Sequence, residues 1–267
     1  MKIALKIWAL ALITALSIIL VFLHAPIPQA LAFHHFADQK TLLGIPNLLN
    51  VLTNLPFLII GIYGLTLIKK SPAPKGIRTI YACLFSGILL TALGSAYYHG
   101  SPDNDRLVLD RTPMTLVFMS LLSATVAEYM DRKAGVGLLI PLLAIGVFSV
   151  LWWHWGEGKG QGDLRLYFLV QYYPMGAIPL IMLLFRSPAH DRASRQLIWV
   201  VVWYVIAKLL ERWDLPIYER LGFVSGHSLK HLAAGVATWY LVRLFRQKYK
   251  SDAAVQGNYN LSSAAIL

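Results

Sequence analysis

Four side chains that can do chemistry stand at the edges of apolar runs. His99 closes one run in "SAYYHG", Asp110 opens the next after "RLVL", and His227 and His231 open the last in "GHSLKHL". Residues four apart share a helical face, so His227 projects with His231, and Ser95 with His99. Three neutral imidazoles are a ligand set that leaves zinc a fourth position for water, and zinc lowers the pKa of that water to about 7. A carboxylate beside it, Asp110, can accept the water's proton and pass it to a leaving group. A hydroxyl, Ser95, can donate to a carbonyl oxygen or orient the water. Neither His pair is specific alone, since a His-x-x-x-His on a helix is ordinarily just two histidines. The signal lies in their convergence, and that depends on the elements carrying them.

Those elements are read from composition. The chain has 267 residues, 57% hydrophobic and only 14% charged, with a mean hydropathy of +0.57. A soluble domain is about a quarter charged, so this chain has too little polar surface to coat a globule in water. Runs of about 20 apolar residues instead have the length of bilayer-crossing helices. The first, before residue 23, follows Lys2 and Lys6, and seven more lie near 48–68, 77–99, 107–130, 136–155, 165–185, 196–213 and 227–246. The expected fold class is all-α: a polytopic membrane helix bundle of seven core helices plus one N-terminal apolar helix or signal segment. Ala30-Leu31-Ala32 resembles a signal cleavage site, but the preceding run is long enough to span, which favours an uncleaved helix. The organisation is then an N-terminal segment 1–32, a membrane domain 33–250 and a polar, disordered tail 251–267. Cys83, the only cysteine, excludes an intrachain disulfide and a Cys-x-x-Cys metal site; it reads as a small packing residue.

The net charge of +11 carries no nucleic-acid function, because no compact basic domain gathers it. It follows the positive-inside rule. Lys69, Lys70, Lys75 and Arg78 mark one loop as cytoplasmic, Arg132 and Lys133 a second, Arg186, Arg192 and Arg195 a third, and Arg243, Arg246, Lys248 and Lys250 the chain's last stretch. The intervening loops are not basic. This topology brings His99, Asp110, His227 and His231 to one depth, near the non-cytoplasmic face. "WWHW", Trp152 to Trp155, falls at that boundary as an aromatic belt, with His154 interfacial. Ionisable groups inside such segments are costly and point to function.

Ser-x-x-x-His closing one helix, Asp eleven residues later and His-x-x-x-His opening the last helix resemble the alkaline ceramidases. These belong to a superfamily of seven-helix membrane hydrolases that also holds the adiponectin-receptor type. The resemblance runs from about Phe36 to Arg246. "NLLNVLTNLPF" is similar to the family's first helix, with Asn50 and Asn54 at its polar positions. The resemblance implies that His99, His227 and His231 ligate Zn²⁺ and that Ser95 and Asp110 flank the water. The reaction it implies is hydrolysis of a lipid amide drawn from the bilayer, N-acylsphingosine to a sphingoid base and a fatty acid. The N-terminal helix departs from the seven-helix pattern. Animal relatives also hold calcium on acidic residues before the first core helix, where this chain offers Asp38 and little else for a hard cation. His34 and His35 there read as interfacial. Lys208, Glu211 and Asp214, expected on one helix, and Lys230, between the two histidines, read as interfacial ion pairs; the alternative is an acidic residue steadying a ligand imidazole. Asp103 and Asp105 read as loop residues.

Three alternatives stay open at this level. The same fold can serve as a receptor or sensor with a structural zinc, which four protein ligands would close. It can hydrolyse a non-sphingoid N-acyl lipid. A transporter or scaffold could use the histidines as proton relays or packing groups.

Overall fold

The computed structural model describes residues 3–186 and 191–249. Lys2 and the polar tail 251–267 lie outside the described residues. The expected all-α bundle is present. Its helices are α1 Ile3–Leu23, α2 Leu48–Leu52, α3 Leu55–Lys69, α4 Lys75–Gly100, α5 Asn104–Tyr129, α6 Arg132–Glu157, α7 Arg165–Leu184, α8 Asp191–Arg212, α9 Asp214–Leu221 and α10 Gly226–Tyr249. Among the described residues seven spans are long and apolar enough to cross a membrane: α1, α2 with α3, and α4 to α8. The last helix, α10, has the length, with 24 residues, but carries His227, Lys230, His231, Arg243, Arg246 and Lys248. It packs along α8 and α3 as part of the bundle. The chain is therefore a multi-pass helical bundle of membrane character.

The helix α1 buries none of its residues, as suits an apolar helix with a lipid-facing surface. It lies against α7, where Thr14 Oγ1 meets the Tyr173 hydroxyl at 2.5 Å. Arg165, opening α7, donates to the carbonyl of His24 just past the end of α1 (2.5 Å), and Lys6 lies over Phe185 at the far end of α7. The two helices are thus antiparallel, as the charge pattern expects. Between α1 and α2 the chain forms a strap across the histidine-bearing end of the bundle. Leu164 N donates to Ile27 O (2.8 Å), Gln29 N donates to Glu157 Oε1 (2.6 Å), and a 3-10 turn follows at Leu31–His34. A two-residue hairpin pairs β1 Thr41–Leu42 with β2 Ile45–Pro46. Ala30 to Ala32, the cleavage-like tripeptide, sits exposed on this strap.

Two helix breaks depart from the expected runs, and both come from prolines that cannot donate to the carbonyl four residues back. Pro56 leaves Leu52 O without that donor, and the run splits at Thr53–Asn54 into α2 and α3. Pro216 does the same to Arg212 O, so α8 stops there and Asp214 begins α9 instead of sharing a helix with Lys208 and Glu211. A third proline, Pro113, lies inside α5 and leaves Leu109 O without the N–H donor four residues on. That carbonyl faces Gly94 of α4: a Cβ at Gly94 would stand 1.9 Å from Leu109 O and 3.3 Å from Asp110 N. The absent side chain lets the two backbones touch one residue before Ser95 and one before Asp110, as small residues do between membrane helices.

Gly94→Ala should therefore force α4 and α5 apart at the pair Ser95–Asp110. The expected cost is about 2 kcal/mol or more, read as earlier thermal unfolding in detergent. Gly137→Ala, where a Cβ meets nothing within 4 Å, should be silent. Equal unfolding temperatures for the two variants would contradict the close approach.

Candidate metal centre

Two helix ends deliver the three histidines, the last turn of α4 and the first turns of α10. His99 sits in the last turn of α4, where Asn47 Nδ2 donates to its carbonyl (2.9 Å). Asn47 holds a left-handed backbone, φ +50°, a conformation Asn tolerates through its short polar side chain. His227 and His231 lie in the first turns of α10, whose free N–H groups need partners. Ser225 Oγ accepts from Ser228 N (3.1 Å) as a cap does, and Asp214 Oδ1 accepts from His227 N (2.7 Å). Asn50 Oδ1 accepts from Ser228 Oγ (2.6 Å), tying α2 to the same turn.

The three imidazoles are buried and face one another, with ring centroids 4.8, 4.9 and 5.0 Å apart. His99 Nε2 and His227 Nε2 stand 3.3 Å apart, and one nitrogen from each of the three rings lies within 4.8 Å of the others. Two nitrogens bound to one tetrahedral zinc at about 2.1 Å are about 3.4 Å apart, so the His99–His227 spacing suits that ion, and His231 offers the third donor within 4.8 Å. Among the described residues this is the one group of three or more metal-ligating side chains that comes together.

Thr53, which the sequence reading passed over, orients one of these rings. Its hydroxyl donates to Leu49 O (2.7 Å) and stands 3.0 Å from His231 Nδ1. With its proton already committed, the hydroxyl oxygen accepts from Nδ1–H, which leaves Nε2 of His231 with a free lone pair toward the cluster. The break after Leu52 places Thr53 there. Asp214 also differs from expectation: it holds the backbone of His227, not an imidazole, and its second oxygen accepts from Ala37 N of the strap (2.9 Å).

Ser95 and Asp110 face each other beside the cluster. With Lys230 and His231 they form the polar end of a cavity of about 130 Å³. Its remaining wall is mainly apolar, with Phe57, Met114, Phe118, Leu121, Val200 and Leu241 along it. The opposite side of the cluster is covered by Phe36, a buried ring 4.6 Å from His99 and 4.5 Å from His227. Arg111 anchors the strap that carries Phe36. Its guanidinium donates to Gln29 Oε1 (2.7 Å) and lies among the rings of Trp153, Tyr167 and Phe33.

The remaining sequence candidates fall outside the cluster. His34 bonds the Tyr98 hydroxyl (2.9 Å) and Asn104 Oδ1 (3.0 Å), while His35 is exposed. Asp38 accepts from Lys40 N in its own loop (3.1 Å). Asp103 caps α5 by accepting from Arg106 N (2.7 Å), and Asp105 pairs with His154 (3.6 Å). Within "WWHW", Trp153 turns inward while Trp152 and Trp155 stay exposed as belt residues do. Cys83 packs half-buried against the core. Lys208 and Glu211 form an ion pair, and Glu211 also pairs with Lys230 (2.9 Å).

A protein-family model described as Ceramidase matches residues 43–259, most of the chain. A comparison with curated proteins found no match.

Thr53→Val removes one of the two acceptors at the His231 ring, the other being the Asn50 carbonyl, while keeping the volume. Loss of such a partner typically costs a metal-ligating histidine about 10- to 100-fold in metal affinity. Competition with a fluorescent zinc chelator should show that loss, and an unchanged dissociation constant would remove Thr53 from the site.

Proposed function

The chain belongs to the ceramidase family, and we propose that it is a zinc-dependent membrane amidohydrolase cleaving the amide of ceramide-like N-acyl lipids to a base and a free fatty acid. The observation that carries this reading is the meeting of three buried imidazoles with Ser95 and Asp110 at the polar end of an apolar cavity. From His231 to Leu241 the cavity lining follows α10 for about 15 Å of helical rise, the direction an acyl chain would take among the helices. A lipid amide threads such a space with its acyl chain among the helices and its carbonyl at the histidines. Among the described residues, the basic loop ends at Lys69–Lys75, Arg132–Lys133 and Arg246–Lys248 stand at the opposite end of the bundle, which supports a site near the non-cytoplasmic face.

His99, His227 and His231 would hold the zinc, whose chemistry is to make hydroxide available at neutral pH and to polarise a carbonyl. The chain's own groups do the rest. Asp110 accepts the proton of the attacking water and returns it to the amide nitrogen, so that the nitrogen leaves as an amine. Ser95, beside Asp110, orients the water or donates to the carbonyl oxygen. Phe36 and the strap exclude bulk water from one side, which strengthens each of these charged interactions.

Protein purified gently should carry about one zinc per chain, the number one three-histidine site takes. With labelled N-acyl lipids it should release fatty acid, and Asp110→Asn should keep the zinc and lose turnover by about 100-fold or more. Protein without zinc, or zinc-loaded protein inert toward ceramides and related N-acyl amides, would contradict the reading. Unchanged turnover in Asp110→Asn would take Asp110 out of the mechanism.

A further inference from the structure

Lys230 stands at the reacting end of the cavity with hydrogen-bonding capacity that its ion pair with Glu211 does not use up. Its ammonium has three donors. One goes to Glu211 Oε1 (2.9 Å), and a second meets His227 Nε2 (3.1 Å). That nitrogen is an atom His227 offers to a metal, so a bound metal claims the acceptor and releases the donor. Glu211 is shared with Lys208, so Lys230 divides that carboxylate with a second ammonium and faces Asp110 across the cavity. The side chain is only 20% exposed, lines the cavity beside Ser95, Asp110 and His231, and its charge acts on Asp110. A partly buried cation with a spare donor, fixed in advance where a carbonyl must sit, has the properties of an oxyanion-stabilising group.

We propose that Lys230 is a catalytic residue for amide hydrolysis: its ammonium hydrogen-bonds the carbonyl oxygen as that oxygen becomes an oxyanion, and then holds the carboxylate of the fatty acid formed. The inference rests on the hydrolase reading above and deepens it. As the water oxygen bonds to the carbonyl carbon, the π pair moves onto the carbonyl oxygen. Lys230 donates a hydrogen bond to that oxygen and keeps its proton throughout. The water's first proton passes through Asp110 to nitrogen, the carbon–nitrogen bond breaks, and the carbonyl re-forms. The second proton leaves the new carboxylic acid for the released amine. The products are a carboxylate and an ammonium, and the carboxylate remains opposite Lys230.

The test compares Lys230→Met, Glu211→Gln and the double variant with wild type. Binding of radiolabelled dodecanoate to metal-free protein in detergent reads the carboxylate contact without turnover, with dodecanol as the uncharged control. Lys230→Met should weaken dodecanoate by about tenfold and leave dodecanol unchanged. In zinc-loaded protein of equal metal content it should lower kcat by about 100-fold with KM within about threefold. Glu211→Gln should keep the preference for dodecanoate over dodecanol, and the double variant should stay as impaired as Lys230→Met. Unchanged dodecanoate binding in Lys230→Met overturns the proposal. So does recovery of binding and kcat in the double variant, since Lys230 would then only neutralise Glu211. If ceramides are cleaved and Lys230→Met is silent, this inference fails while the hydrolase reading stands. If no amide is cleaved, the hydrolase reading fails and the catalytic role of Lys230 with it, whatever the dodecanoate result.

Discussion

Three imidazoles buried with their nitrogens converging are held together by their surroundings rather than by each other. Neutral imidazoles offer one lone pair each, and lone pairs that face one another need a proton or a cation between them. Burial removes the water that would otherwise serve. The local structure meets this constraint from several directions. Asp214 and Ser225 hold the first turn of α10, Asn47 holds the last turn of α4, and Thr53 sets the tautomer of His231. The glycine at 226 belongs to the same arrangement, because a Cβ there would stand 2.3 Å from Leu210 O and push α10 off the end of α8.

The second constraint is the pass of α4 against α5. Pro113 leaves the carbonyl of Leu109 without the donor four residues on, Gly94 gives it room, and the two helices close to backbone contact. Ser95 and Asp110 follow directly on those two residues, so the pair that handles protons in the proposed reaction is placed by main chain rather than by long side chains. Positions set by packed backbone are more reproducible than those set by flexible stems, which is what a proton relay over one hydrogen bond requires.

How much of this was legible depended on the kind of signal. Loop charges and apolar runs report on the bilayer, a strong and one-dimensional constraint, and they were enough to put His99, Asp110, His227 and His231 at one end of the bundle. Thr53 was not legible, because a threonine in an apolar run looks like packing until the break at Pro56 turns it toward His231. Asp214 was assigned to the wrong helix because the apolar run continues through Trp213; only the missing N–H of Pro216 breaks it. Phe36 lies in a segment that reads as a spacer, and its role depends on the folding back of a strap through Gln29 and Arg111, contacts 82 residues apart in the chain. Lys230 read as an interfacial cation, since its spacing says only that it neighbours the two histidines, while its partner Glu211 comes from another helix.

The central claim is an open three-histidine metal site inside a helical membrane bundle. X-ray absorption at the zinc edge of the purified, zinc-loaded protein tests it most directly. The account predicts three imidazole nitrogens at about 2.0–2.1 Å and a single light scatterer in the fourth position that exchanges when a fatty hydroxamate is added. A spectrum with a fourth protein ligand that ignores the hydroxamate, or one unchanged in a protein lacking His99 and His231, would contradict it.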